Sequence, residues 1–468
     1  MGQLECSEIK LSNILFNNQK FRIDDEYFRK EIVNSYNVIT RNKYVLFEDI
    51  IEVLTDFHSN GSYESIAKVF KLLDNPDYAY MVRTTDLEMN NYDTNVKYVS
   101  RECYNYLSKS KVYGGELLIN KIGNPGQTFI MPYLNMPVSL GMNLFMIRLK
   151  KDCNFTEAYL WAYLNSEIGK NIISRYVSGT VPLTIDKLSI KSIPVPYINS
   201  DFQYRIADMV KSAHSKLEES KMLYRQAEEI LEKELGIDYD VIEQKKDVES
   251  SVRSFRDVSC GDMRIDSEYY LTKYDELFSH LKNANCCTLS SIVNIRKSIE
   301  PGSNMYQSSG IPFYRISNIS EQELSKPDIY LDETLFDKSL FPKKDTILFS
   351  KDGSIGIAYK LQNDLLGITS SALLHLTVKD ENILPDYLTL VLNSKIVKMQ
   401  SVRDSGGSII VHWRMDDIAN VSIPVLPFSI QTTIAEKVQN SFRLRAESKQ
   451  LLEDAKRLVE EEIEKGGK

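Results

Sequence analysis

Apolar residues between 203 and 235 recur at alternating steps of four and three. Ile206, Val210, Ala213, Leu217, Ser220, Tyr224, Ala227 and Leu231 form one stripe. Ile434, Val438, Ser441, Arg445, Ser448, Leu452, Ala455 and Val459 form a second. Such spacing turns one seam of a helix toward a partner helix. It predicts two long helices, the first closed by Gly236 as a C-cap. At 1.5 Å per residue, 33 residues make a rod of about 50 Å. Two surface helices, each packed on its own module, is the plainer reading. Serine and arginine make the second stripe a poor one for lone burial, however, and favour an antiparallel pair. Elsewhere the period changes. GELLINK, DTILFS, SIPVPY and ALLHLTV read as short strands between Gly, Asp and Pro. Residues 159–173 and 387–401 read as helices, with apolar positions at i, i+3 and i+4.

The pattern is written twice. RIDDEY (22–27) matches RIDSEY (264–269) at an offset of 242, and YMVRTTDL matches FYRISNI at 232. GELLINKIGNPG (115–126) matches DTILFSKDGSIG (345–356) at 230, and YLWAYLNS (159–166) matches YLTLVLNS (387–394) at 228. SIPVPY (192–197) matches SIPVLP (422–427) at 230, and FQYRIADMV (202–210) matches IQTTIAEKV (430–438) at 228. Six matches in one order, with an offset drifting by 14, exclude coincidence. The length changes fall early, where surface loops tolerate them, and the helices stay locked. The expected fold is α+β: two tandem α/β modules separated by two long helices that form an antiparallel coiled coil. The expected boundaries are a first module at 1–200, a spacer helix at 201–236, a linker at 237–262, a second module at 263–428 and a second spacer helix at 429–468.

Composition changes this picture little. With 43% apolar and 26% charged residues, 468 residues build ordinary globular cores. No apolar run approaches the roughly 18 residues of a membrane span, and the first residues lack a signal pattern, so a cytoplasmic location is expected. Six scattered cysteines without a CxxC pair argue for reduced thiols, with neither disulfides nor a metal site. The net charge of −8 hides an asymmetry: residues 101–200 hold 11 Lys/Arg against 6 Asp/Glu, whereas 201–250 hold 8 against 13. An acidic total therefore leaves a nucleic-acid partner open.

Catalytic tools are missing. There is no GxxxxGK[ST] loop, no strand-linked GxGxxG, no NPPY-type or DPPY-type tetrapeptide and no HExxH, and the five histidines stand apart. No catalytic residue is proposed. What recurs is a strand running into a turn with one lysine and two glycines: Lys121, Gly123 and Gly126, then Lys351, Gly353 and Gly356. Glycines let backbone N–H groups approach a phosphate and lysine supplies charge; a tight turn that needs positive φ is the equal alternative. The polar segments 174–187 and 402–415 follow the paired helices and carry Arg175, Arg403 and Arg414. These three and the two lysines are candidate phosphate contacts. His58, Asn60, Thr180, Ser408 and Trp413 are candidates for reading or stacking on bases, Trp413 having packing as its alternative.

These residues, in this order and twice over, resemble the specificity (S) subunit of type I restriction-modification systems. The resemblance spans nearly the whole chain. It rests on R-I-D-x-E-Y, the strand and KxGxxG turn, and an IPVP block with a Q..IA helix start. It implies a non-catalytic subunit whose modules are target recognition domains, each reading one half of a bipartite, asymmetric site on double-stranded DNA. The helices would set the gap and dock two modification subunits through Ile206, Val210, Leu217, Tyr224, Leu231, Ile434, Val438, Leu452 and Val459. Those partners, not this chain, would hold S-adenosylmethionine and methylate adenine N6. A restriction (translocase-endonuclease) subunit would join them. The second half begins with an IPFYR block, whereas the first carries DFHSNGSYESI (56–66) before its YMVR block, so the two are expected to read different sequences. Two alternatives stay open: a related system whose partner fuses methyltransferase and nuclease, and an unrecognised DNA-modifying enzyme.

Overall fold

The computed structural model describes residues 11–12, 22–237, 252–255, 258, 264–406 and 411–466. It divides into two compact units, residues 1–215 with 447–468, and residues 216–446. Each unit thus holds an α/β body together with the start of one long helix and the end of the other.

In the first unit α1 (Lys30–Thr40) leads into β1 (Tyr44–Leu46) and β2 (Ile51–Asp56), followed by β3 (Ala79–Val82), β4 (Leu117–Asn120), β5 (Thr128–Ile130), β6 (Val138–Leu140) and β7 (Leu144–Leu149). One sheet has the antiparallel order β2-β7-β4-β5; in a second, β3 and β6 pair in parallel between two-residue edge strands. Every residue of β4 is buried, as its apolar run requires. Helices α2 (Glu157–Asn165) and α3 (Glu167–Tyr176) pack on this sheet, β8 (Pro194–Pro196) pairs antiparallel with β1, and α4 (Ser200–Leu235) follows.

The second unit repeats the plan with β9 (Cys286–Thr288), β10 (Val293–Lys297), β11 (Ile311–Tyr314), β12 (Ile347–Ser350), β13 (Ala358–Lys360), β14 (Ile368–Thr369), β15 (Leu373–Val378) and β16 (Ser422–Pro424). Its main sheet has the order β10-β15-β12-β13, again antiparallel, beside a parallel β11/β14 pair. Helix α5 (Thr272–Asn283) precedes the sheet; α6 (Pro385–Asn393), α7 (Lys395–Asp404) and the closing α8 (Phe428–Lys465) correspond to α2, α3 and α4.

Two sequence readings are corrected here. Residues 159–173 and 387–401 are each two helices, broken at Ser166 and Ser394, which are extended (ψ 165° and 160°). Ser166 Oγ donates to the Tyr163 carbonyl at 2.6 Å and accepts from Gly169 N at 3.1 Å, closing one helix and opening the next. A Cβ on Gly169 would stand 1.9 Å from the Tyr163 carbonyl oxygen, so this joint needs glycine. Secondly, the SIPV match is out of register by two. The Tyr159 hydroxyl donates to the Pro196 carbonyl and the Tyr387 hydroxyl to the Pro424 carbonyl, both at 2.8 Å, which makes Pro196 the counterpart of Pro424 at the usual offset of 228. A slip of two residues keeps every side chain on its face of a strand, so the misalignment is invisible to hydrophobic pattern.

The seams are buried within each unit. In the first, Ile206 and Val210 of α4 share a core with Ala455, Val459 and Ile463 of α8, and Ser448 Oγ donates to the Ala213 carbonyl at 2.7 Å. In the second, Tyr224, Ala227 and Leu231 of α4 share a core with Ile434 and Val438 of α8, and Ser441 Oγ donates to the Ser220 carbonyl at 2.8 Å. Start packs on end in both units, so the pair is an antiparallel coiled coil. Serine is small enough for close backbone approach and finds a carbonyl for its hydroxyl, which removes the cost of burying it. Leu217 and Leu452 are only half-buried.

Candidate nucleic-acid interface

The RIDxEY motif builds a clamp. Arg22 grips Asp24 through two hydrogen bonds of 2.6 and 2.7 Å and donates to the carbonyls of Arg175 and Val177 at the C-terminal end of α3. Arg264 grips Asp266 in the same way and donates to the carbonyls of Asp404 and Ser405 at the end of α7. A cation there satisfies orphan carbonyls and faces the negative end of the helix dipole. The motif's tyrosines complete it. The Arg175 guanidinium lies 4.2 Å from the Tyr27 ring centre and 4.0 Å from that of Tyr36; Arg403 lies 4.0 Å from Tyr269 and 4.5 Å from Phe278. Arg175 is 4% exposed. The expectation that Arg175 and Arg403 contact phosphates is therefore corrected: both are stacked cations that pin a helix end.

The lysine–glycine turns are corrected in part. Gly123 N donates to the Leu183 carbonyl, Gly126 N to Asn120, Gly353 N to Val411 and Gly356 N to Ser350. Those N–H groups are spent, so they cradle no phosphate. All four glycines have positive φ, between 66° and 91°, and the tight-turn reading holds. The bonds do serve an assembly. In the first unit Ile122 bridges Thr184 and Ser178 bridges Thr184; in the second Asp352 bridges His412 and Gly406 bridges His412. In each unit the turn after the central strand and the loop after the helix pair are thereby knitted at one end of the sheet.

At that end the two units carry different charges. Asp56 closes β2 opposite Phe145, and its carboxylate accepts from Lys121 Nζ at 2.9 Å, Lys187 Nζ at 2.7 Å and Ser59 Oγ at 2.6 Å. Burial alone would raise this carboxyl, but the hydrogen bonds from Lys187, Ser59 and Lys121 outweigh it and hold it well below the usual carboxylate range. Two ammonium groups over one carboxylate leave a net positive knot. In the second unit Lys297 stands opposite Leu374, where the register puts the equivalent of Asp56, and it is exposed. Lys351 pairs with Asp352, which also lies 2.7 Å from His412 Nδ1. His412 is 63% exposed. Sequence reasoning missed Asp56, Ser59, Lys187 and Lys297; Lys187 closes the polar segment 174–187, and its charge there was the available signal.

The remaining candidates divide by exposure. His58 and Thr180 are exposed, and Arg414 is exposed while bonded to Asp417 at 2.9 and 3.0 Å. Asn60 is not available to a base: its amide donates to the Phe57 carbonyl and Ser110 Oγ and accepts from Lys109 N. Trp413, 1% exposed, packs 5.7 Å from Phe349 and belongs to the core. Ser408 lies outside the described residues. Among the described residues no helix is long and apolar enough to cross a membrane, and no group of His, Cys, Asp and Glu is placed to hold a metal ion.

Residues 282–456 match the model of the type I restriction modification DNA specificity domain. No curated protein matches the chain. Among solved structures, the S subunit of a type I restriction-modification system from M. genitalium aligns over 91% of this chain and 95% of its own, at 12% identity and a TM-score of 0.42. The HsdS subunit from Thermoanaerobacter tengcongensis aligns over 91% and 96%, at 12% identity and a TM-score of 0.28. A chain from a study of complex assembly and conformational transition in a type I system aligns over 91% and 97%, at 11% and 0.28.

Proposed function

From the match of residues 282–456 to the type I restriction modification DNA specificity domain, we propose that the chain is the DNA-recognition subunit of such a complex. Each unit reads one half of a bipartite site. The observation that carries this reading is the repetition of the matched segment by the first unit, down to the sheet orders β10-β15-β12-β13 and β2-β7-β4-β5. Two copies of one DNA-reading plan in a single chain suit two half-sites. Their different chemistry at the equivalent sheet end, Asp56 with two lysines against Lys297 with Lys351 and His412, suits two different sequences.

The chain catalyses nothing itself. Lys121, Lys187, Lys297, Lys351 and Arg414 supply positive charge for backbone phosphates, and the exposed His58, Thr180 and His412 are the polar side chains offered to base edges. Phosphate contacts fix register, whereas polar side chains at base edges carry sequence information. The paired helices serve as spacer and as the seat of the modification subunits, two in number, which bind S-adenosylmethionine and transfer its methyl group; a restriction subunit joins that assembly. The complex works on DNA in the cytoplasm.

Base-modification sequencing of the source genome, with and without the gene, tests this. Loss of one bipartite, adenine-methylated motif is the expected result. An unchanged methylome while the partner methyltransferase is expressed refutes it. Exchange of residues 1–200 for another module should change one half of the motif and spare the other.

A further inference from the structure

The two units differ at one more place, behind the lysine–glycine turn. In the second, residues 319–324 fold into a tight turn, with Ser320 N donating to the Glu323 carbonyl at 2.9 Å. Its flanking Ile319 and Leu324 pack with Ile357 and Tyr359, and the Glu321 carboxylate meets Lys398 Nζ at 2.6 Å. An acidic turn with apolar shoulders thus covers the face made by β13 and α7.

The same face in the first unit is open. Gln127, Phe129 and Lys170 are the counterparts of Ile357, Tyr359 and Lys398, at offsets of 230 and 228. Together with Trp161 and Lys456 they line a cleft of about 540 Å3. In the stretch that corresponds to the acidic turn, 87–92, Leu87 is buried with Leu118 as Ile319 is with Leu348, but no residue of the stretch lines the cleft, and exposed Met89 stands where the second unit has Glu321. Lys170 is exposed and has no ion pair among the described residues. Lys456, bonded to Glu453 at 2.6 Å, stands where the second unit has Glu228. The open cleft is therefore more basic than its covered twin and keeps an aromatic floor.

We propose that this cleft is the docking point for an acidic, apolar-flanked segment of a partner polypeptide, whose carboxylate meets Lys170 as Glu321 meets Lys398 in the second unit. The inference rests on the reading of the chain as one subunit of a complex, and it assigns the chemistry of one contact. Charge complementarity and the internal precedent of Glu321 on Lys398 select a peptide over a nucleic acid, since the twin face is filled by peptide.

Trp161 and Trp413 are the two tryptophans of the chain. Trp413 is buried and Trp161 lines the cleft, so Trp161 emission reports occupation. The probe is the synthetic peptide ISNISEQELSK, the sequence of residues 316–326, titrated into the full chain. A saturable blue shift is expected, absent in Trp161→Phe. Affinity should fall about tenfold in Lys170→Glu, and equally for a peptide with both glutamates replaced by glutamine, since each change removes the ion pair that the twin site makes. Lys170→Met, which adds no charge, should show an intermediate loss with an unchanged melting temperature. No saturable shift, or equal affinity in Lys170→Glu, overturns the proposal. So does a Lys170-dependent shift with a mixed-sequence DNA duplex, which would make the cleft a phosphate site. Peptide binding is independent of the methylome, so failure of this inference and failure of the DNA-recognition reading give different results.

Discussion

Gln203 and Gln431 offer the sharpest test of how the modules hold their helices. Each sits in the first turn of a long helix, 1% exposed, with its amide fully used. Gln203 Oε1 accepts from Thr156 N at 3.0 Å, and Nε2 donates to the carbonyls of Asn154 and Ile198 at 2.9 Å each. Gln431 repeats this with Leu384 N at 3.2 Å and the carbonyls of Asn382 at 3.1 Å and Leu426 at 2.9 Å. One side chain ties the start of α4 to the stretch after β8 and to the residues that open α2, and its twin does the same for α8, β16 and α6. Gln203→Ala removes three hydrogen bonds, each worth a net 0.5–1.5 kcal/mol or so, and strands three backbone groups, for a loss of about 2–4 kcal/mol. Urea unfolding followed by Trp161 emission reads the first unit, and Trp413 emission reads the second. Gln203→Ala should lower the unfolding free energy read at Trp161 by that amount, and Gln431→Ala should lower that read at Trp413 similarly. Gln203→Glu should be no milder, because a carboxylate loses both donors and buries a charge. A loss below roughly 0.5 kcal/mol in both alanine variants would refute the reasoning, since it would mean water replaces the amide at no cost.

The knot at Asp56 makes opposite predictions for its members. Lys121→Ala and Lys187→Ala should each weaken DNA association and shallow the log–log salt slope by about one, and Asp56→Asn should steepen it by freeing both ammonium groups; unchanged slopes in titrations from 50 to 200 mM salt, or thereabouts, would show that the lysines serve only the carboxylate. Burial first, and the nearby Glu321 charge second, push the Glu228 carboxyl up to about 7. A raised folded-state value means its stabilising share is present below the ordinary carboxyl range and is lost as pH rises through about 7. Between pH 5 and 8, approximately the window of that titration, the wild-type Trp413 midpoint should fall relative to Glu228→Gln; parallel curves would contradict the assignment. Finally, a Cβ on Gly126 would stand 2.0 Å from Ile173 Cγ2, whereas one on Gly123 meets nothing within 4 Å, although their φ angles are 91° and 90°. Gly123→Ala should then cost only the backbone term of about 1–2 kcal/mol, and Gly126→Ala clearly more, as read by thermal melts.

Much of the architecture was legible because duplication turns weak local signals into strong ones. A single GELLINK or IPVP says little; the same strand and helix starts at near-constant offset gave both modules, the paired helices and the duplicated turn. What stayed hidden depends on contacts between residues distant in the chain. Nothing in RIDDEY announces that its arginine will cap a helix some 150 residues on (Arg22 with the Arg175 carbonyl), or that its tyrosine will lie under Arg175. Positive charge in a polar loop suggested phosphate contacts, yet stacking between Tyr27 and Tyr36 spends Arg175 on structure. The glycine N–H groups were half right: positive φ was readable, but the carbonyls that consume them were not.

The serines of the seam show where an anomaly in the pattern was itself the signal. Ser220, Ser441 and Ser448 break the hydrophobic stripe and argue against burial on a lone module. Close approach of two helices needs small side chains, and each pairing finds the hydroxyl an acceptor on the facing helix within its own unit. The same logic separates scaffold from function across the repeats. Residues that match between copies, such as Arg22 and Arg264, Gln203 and Gln431, or Asn165 and Asn393, make matching bonds and hold the frame. Residues that differ at equivalent places, Asp56 against Lys297 and Lys456 against Glu228, change the sign of charge on a frame that has not moved. A fold kept twice for stability alone has no need of such reversals. They are expected where two copies of one scaffold meet different partners, at the sheet end proposed to meet DNA and at the cleft proposed to take a partner segment.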